Sequence, residues 1–76
     1  MTKRLGIFAI LGGWLLDDAG LQERFSSRDD ALGAARRRAG LTRWRGEKAE
    51  VLAQETAGGP LSVVDPPAPG GATRGR

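Results

Sequence analysis

Residues 5–16, LGIFAILGGWLL, carry no charge, whereas the chain on either side is rich in charged side chains. Gly12-Gly13 divides this apolar run, and a glycine pair between strand-like segments is hairpin chemistry, because tight two-residue turns need positive φ. One strand is predicted from about Arg4 to Leu11 and a second from about Trp14 to Asp17. Apolar side chains on both faces of the first strand predict a central position, with one face beneath a helix. Two other readings of the run are weaker. A transmembrane helix needs about 20 apolar residues, and this run stops at Asp17-Asp18. The basic start at Lys3-Arg4 fits the opening of a signal peptide, but DDAGLQERF offers no small-x-small cleavage site. A buried helix is the third option and the least favoured.

Asp18, Ala19 and Gly20 are turn residues, and LQERF reads as a short third strand with Leu21 and Phe25 inward. A helix follows. Ser26 or Ser27 can cap it, with Asp29 or Asp30 near the positive end of its dipole and Arg36 to Arg38 toward the negative end. Ala31, Leu32, Ala35 and Ala39 recur at helical spacing as a narrow stripe that lets the helix lie close to a sheet. Gly40 is the expected stop. EKAEVLAQETAGG is compatible with helix or strand. Gly58-Gly59-Pro60 turns into the strand-like LSVV, which favours a second hairpin. PPAPGGATRGR has no apolar periodicity and reads as a flexible tail. The expected fold is α+β: one small domain over residues 1–65, with a tail over 66–76. Its antiparallel sheet has four to five strands in the order ββ(β)αββ, with one helix packed on one face.

The segments GGWLLDDAG, RFSSRDDALGAARRRAG and VLAQETAGGPLSVVD resemble a family of very small uncharacterised bacterial proteins. The resemblance spans about residues 4–65. It implies a hairpin–helix–hairpin fold and carries over no activity or site residue. The join LTRWRGEK is longer than that pattern needs.

With 76 residues, no Cys, no His and no Tyr, the chain has no disulfide, and the usual zinc sites and histidine general base are excluded. The adjacent acids Asp17-Asp18 and Asp29-Asp30 diverge on a strand or helix and read as a turn and a helix start. Ser26, Ser27 and Ser62 have no histidine partner. Neither glycine pair belongs to a phosphate-loop motif. No enzymatic activity, no cofactor and no metal is expected. The absence of Cys fits a cytoplasmic location.

The net charge of +3 is unevenly spread. Residues 36–48 carry Arg36, Arg37, Arg38, Arg43, Arg45 and Lys48 against Glu47 alone. This block, with Trp44 inside it, is the candidate partner-binding site. Arginine pairs with carboxylates and phosphates, and an interleaved indole can stack. At 100° per residue Arg36, Arg37 and Arg38 point three ways, with Arg37 opposite the alanine stripe. Arg43 and Arg45 share a side if that stretch is extended. The plainest reading packs Trp44 on the core and leaves the arginines as a solvated surface.

The sharper expectation is a binding protein whose Arg/Trp surface docks on an acidic protein or ribonucleoprotein groove. In type it is similar to small phage-encoded inhibitors of bacterial defence, including anti-CRISPR proteins, which block nucleic-acid binding. The alternatives are direct nucleic-acid binding and a self-associating structural module that forms a homodimer through a sheet edge. No membrane partner is expected.

Overall fold

The computed structural model describes residues 2–68. Five strands and one helix follow in the order β1 (Thr2–Ile10), β2 (Gly13–Asp18), β3 (Leu21–Phe25), α1 (Arg28–Trp44), β4 (Lys48–Ala53) and β5 (Ser62–Ala68). They form one sheet in the order β3-β2-β1-β4-β5, with α1 on one face. This is the expected α+β domain, and β1 is its central strand. The ambiguous segment after the helix is a strand, paired with β5 as a second hairpin.

The sheet is mixed rather than wholly antiparallel, because β1 and β4 run parallel, Leu5 beside Val51 and Ile7 beside Ala53. Parallel neighbours need a long crossover, and α1 supplies it between β3 and β4. With β2 on one edge of β1, the other edge is left for β4. β5 continues to Ala68, past the expected boundary at residue 65. Pro66 and Pro67 are tolerated there because β5 is an edge strand. The rest of the expected tail, residues 69–76, lies outside the described residues.

Alternation builds the core. Leu5 and Ile7 of β1, Leu16 of β2, and Ala49, Val51 and Ala53 of β4 point to the helix side and are buried. Against them lie Ala31, Leu32, Ala35 and Ala39, the small-residue face predicted for the helix, joined by Ala34. Trp14 and Phe25, paired across β2 and β3, pack on the rim of this core. Leu21 was expected inward but is exposed, because it ends the edge strand beyond the reach of the single helix.

Turn chemistry sets the register. The β1–β2 hairpin turns on Leu11-Gly12, one residue earlier than the glycine pair itself, with Gly12 at φ +83°. Gly13 opens β2 opposite Ile10. A Cβ there would lie 2.5 Å from the Phe25 carbonyl oxygen, so Gly13 is needed for close approach rather than for the turn. At the β2–β3 turn both Ala19 and Gly20 have positive φ, the requirement of a type I′ hairpin.

Ser27 caps α1, its Oγ accepting from the Asp30 N–H at 3.1 Å. The helix does not stop at Gly40. It runs four residues further and ends at Gly46, φ +90°. There the Gly46 N–H donates to the Arg43 carbonyl at 2.8 Å and the Glu47 N–H to the Thr42 carbonyl at 3.2 Å. This double bond pattern is a Schellman stop. Continuing the helix buries Thr42 and brings Arg43 to β4 and β5. These contacts favour Gly46 over Gly40 as the terminator.

Candidate functional site

The extended helix sorts the basic block into two groups. Arg38 and Arg43 turn toward the sheet. Arg38 Nη1 donates to Asp18 Oδ2 at 3.1 Å, and its Nη2 donates to Glu23 Oε1 at 2.6 Å. Lys3 Nζ completes this cluster, 3.0 Å from Asp18 Oδ1. Asp18 is only 8% exposed. Burial alone would raise its pKa. The hydrogen bonds and charges of Lys3 and Arg38 outweigh burial and hold the carboxyl below its ordinary value. The hydrogen bond that Arg38 donates to Asp18 correspondingly raises the Arg38 pKa, with the bond to Glu23 adding to it.

Arg43 closes the other flank. Its Nη2 donates to the Ala49 carbonyl at 2.7 Å and the Pro66 carbonyl at 3.0 Å, and its Nη1 lies 3.6 Å from Asp65 Oδ2. One guanidinium thus ties the helix end to both strands of the second hairpin. Its buried Nε has no partner among the described residues. Arg38 and Arg43 are therefore held by partners within the chain, apart from the outward-facing members of the basic block.

At the opposite end of the layer Gln54 does similar work. Its Oε1 accepts from the Ala9 N–H at 2.9 Å, and its Nε2 donates to the Gly59 carbonyl at 2.8 Å. Its own carbonyl accepts from Arg28 Nε at 3.0 Å. Sequence reasoning passed over Gln54, since a lone Gln after a strand carries no signal.

The remaining members of the block stay outside. Arg36, Arg37, Trp44 and Arg45 are exposed, and none of these three guanidinium groups has a hydrogen-bond or ion-pair partner among the described residues. Trp44 is 86% exposed, contrary to the reading that packs it on the core. Because the stretch is helical, Trp44 lies seven residues from Arg37 and on the same outer side. Leu41, 60% exposed, lies one turn before it. Arg37, Gly40, Leu41 and Trp44 line one shallow, mostly apolar groove. A second groove shares Arg37 and Leu41 and runs down to Glu23 and Phe25 at the edge of β3. Arg36 flanks the outer face on the other side and Arg45 sits at the helix C-cap. Lys48 is not part of this group, because strand alternation turns it away from the helix, on the side of Glu50 and Leu52.

Sequence reasoning also missed Leu41 and Gly40. Ending the helix at Gly40 put Leu41 outside any helical face. A Cβ at Gly40 would meet nothing within 4 Å, so no contact among the described residues requires glycine there.

The outer face of α1 presents guanidinium, indole and isobutyl groups. No family model, no curated protein and no solved structure matches this chain. Among the described residues no helix is long and apolar enough to cross a membrane.

Proposed function

We propose that this is a non-enzymatic binding protein that docks the Arg37–Leu41–Trp44 face of α1, flanked by Arg36 and Arg45, on an acidic surface of a partner. The observation that carries this reading is Trp44. A large aromatic side chain, 86% exposed on a rigid helix, sits beside an exposed Leu and unpaired arginines. Trp and Arg are the side chains that most often dominate binding energy when buried at an interface. The charge selects the partner. A second copy on this face would set arginine against arginine, whereas a carboxylate-rich surface would pair with Arg36, Arg37 and Arg45.

Direct nucleic-acid binding is the weaker reading, since three arginines are available rather than six basic groups. Each phosphate neutralised contributes to affinity and to its salt dependence, so the smaller number predicts weak binding. The likeness in type to phage-encoded inhibitors makes a CRISPR surveillance complex the first partner to offer.

The test is capture of that complex by the immobilised chain, with and without nuclease, in parallel with titration of a single-stranded oligonucleotide. Docking on protein predicts capture that survives nuclease and is lost with Arg37→Glu/Trp44→Ala. Oligonucleotide affinity that depends on Trp44 and vanishes in salt, with no nuclease-resistant capture, would transfer the site to nucleic acid.

A further inference from the structure

The sheet has a second face, and no helix covers it among the described residues. Strand alternation places Gly6, Phe8 and Ile10 of β1, Leu15 of β2, Leu52 of β4 and Val63 of β5 on it. The register makes these side chains neighbours. Phe8 stands opposite Leu15, Gly6 beside Leu52, and Leu52 opposite Val63. All of them are half-buried, apart from Val63, which is 51% exposed.

The Phe8 ring lies down over Gly6. A Cβ at Gly6 would come within 2.8 Å of Phe8 Cε1, so glycine is what lets the ring lie flat on the sheet. The result is a level apolar band across four strands. Residues 5–10 of β1, LGIFAI, also carry no polar side chain, the pattern of a strand covered on both faces. Among the described residues only one face is covered.

The charges around this band identify what fits it. Arg4 Nε donates to Glu50 Oε2 at 2.6 Å, a pair already made within the chain. Asp17 and Arg24 stand on the same face, beyond Gly6 and Leu15. Three positive groups, Arg4, Arg24 and Lys48, and two negative groups, Glu50 and Asp17, therefore surround the band, a net charge of +1 in which Arg4 and Glu50 already pair. A face of mixed and nearly compensated charge accepts a copy of itself, whereas the outer face of α1, with arginines unpaired among the described residues, repels one.

The geometry points to a back-to-back homodimer in which the open faces of two sheets pack together about 10 Å apart, with both helices facing outward. The size of the face sets the strength. Five strands about 4.8 Å apart and about six residues long give roughly 400 Å² per copy, or about 800 Å² in all. Stable complexes bury about 1,200–2,000 Å², so this dimer is reversible. It presents two docking helices on opposite sides. It does not depend on what those helices bind, since self-association is read from mass and docking from capture.

The edge strands are the competing surface. β5 is blocked by Pro66 and Pro67, whereas β3, with exposed Leu21, is open to pairing. Sedimentation equilibrium of the full chain from about 1 to about 500 μM distinguishes these surfaces. The expected result for the wild type is a mass rising from one chain toward two. Leu52→Lys and Leu15→Arg should each weaken that association at least about tenfold, with the far-ultraviolet circular dichroism unchanged. Leu21→Lys should follow the wild type. Hydroxyl-radical labelling of the wild type provides a readout that needs no variant. Phe8 and Leu52 should be protected as concentration rises, while Leu41 and Trp44 are not. A single-chain mass at every concentration would overturn the inference. So would association lost in Leu21→Lys but kept in the sheet-face variants, or labelling of Phe8 that does not depend on concentration.

Discussion

The two outer surfaces of this molecule both expose apolar side chains and differ in the charges around them. On the helix, Trp44 and Leu41 stand among arginines with no partner in the described structure. On the sheet, Phe8, Leu15 and Leu52 stand among charges of both signs that nearly cancel. The comparison teaches that hydrophobic exposure marks a surface as one to be covered, and the charge around it selects what covers it. On the readings proposed above, the arginines of the helix face favour an acidic partner over a second copy, and the nearly compensated frame of the sheet face favours self-association.

The same comparison runs inside the basic block. Arg38 and Arg43 hold the fold together, whereas Arg36, Arg37 and Arg45 do not. Arg43→Ala removes two hydrogen bonds to strand carbonyls and the approach to Asp65, and should lower unfolding free energy by about 2–3 kcal/mol in urea titrations. Arg37→Ala should stay within about 0.5 kcal/mol of the wild type. Equal losses at both positions would erase the division between structural and free arginines.

The buried cluster around Asp18 gives the next effect. Its folded-state pKa lies below the ordinary carboxyl value. A carboxylate of this kind stabilises the fold fully above its unfolded pKa, near pH 4, and the contribution is lost as pH falls through the lower folded value. Stability measured across the acid range should therefore fall below about pH 4 in the wild type. In Asp18→Asn the overall stability should be lower by about 2 kcal/mol at neutral pH and that acid limb shallower. An unchanged acid limb would mean that Asp18 is not held by Lys3 and Arg38.

The smallest effect sharpens the comparison most. Glycine inside a helix costs about 1 kcal/mol relative to alanine, and Gly40 has open space where a Cβ would go. Gly40→Ala should raise stability by about that amount in thermal or urea unfolding, and weaken docking by filling the groove floor beside Trp44. A variant that is more stable and docks unchanged would remove Gly40 from the binding face.

Much of this architecture is legible in the residues themselves. The apolar run split by glycines, the Ser27 cap and the spaced alanines each have a local physical cause, so the hairpin, the helix start and the buried helix face could all be read from the sequence. The helix end could not. Gly40 and Gly46 are equivalent locally, and the choice between them rests on contacts of Thr42 and Arg43 with distant strands. The same long-range dependence hid the parallel β1–β4 pair and the bridging role of Gln54. For the candidate site, the sequence singled out the basic block as a whole but could not divide its inward members from its outward ones. Four residues of helix decide that Trp44 faces solvent and Arg43 faces the sheet.

The most direct test of the division between the two surfaces is a three-way capture experiment on the surveillance complex. It compares the wild type, Arg37→Glu/Trp44→Ala on the helix, and Leu52→Lys on the sheet, each shown to be folded by circular dichroism. The account predicts that the helix variant loses the partner by at least about 100-fold in affinity while the sheet variant keeps it. Capture that survives the helix changes and disappears with Leu52→Lys would contradict the account and make the sheet the docking surface.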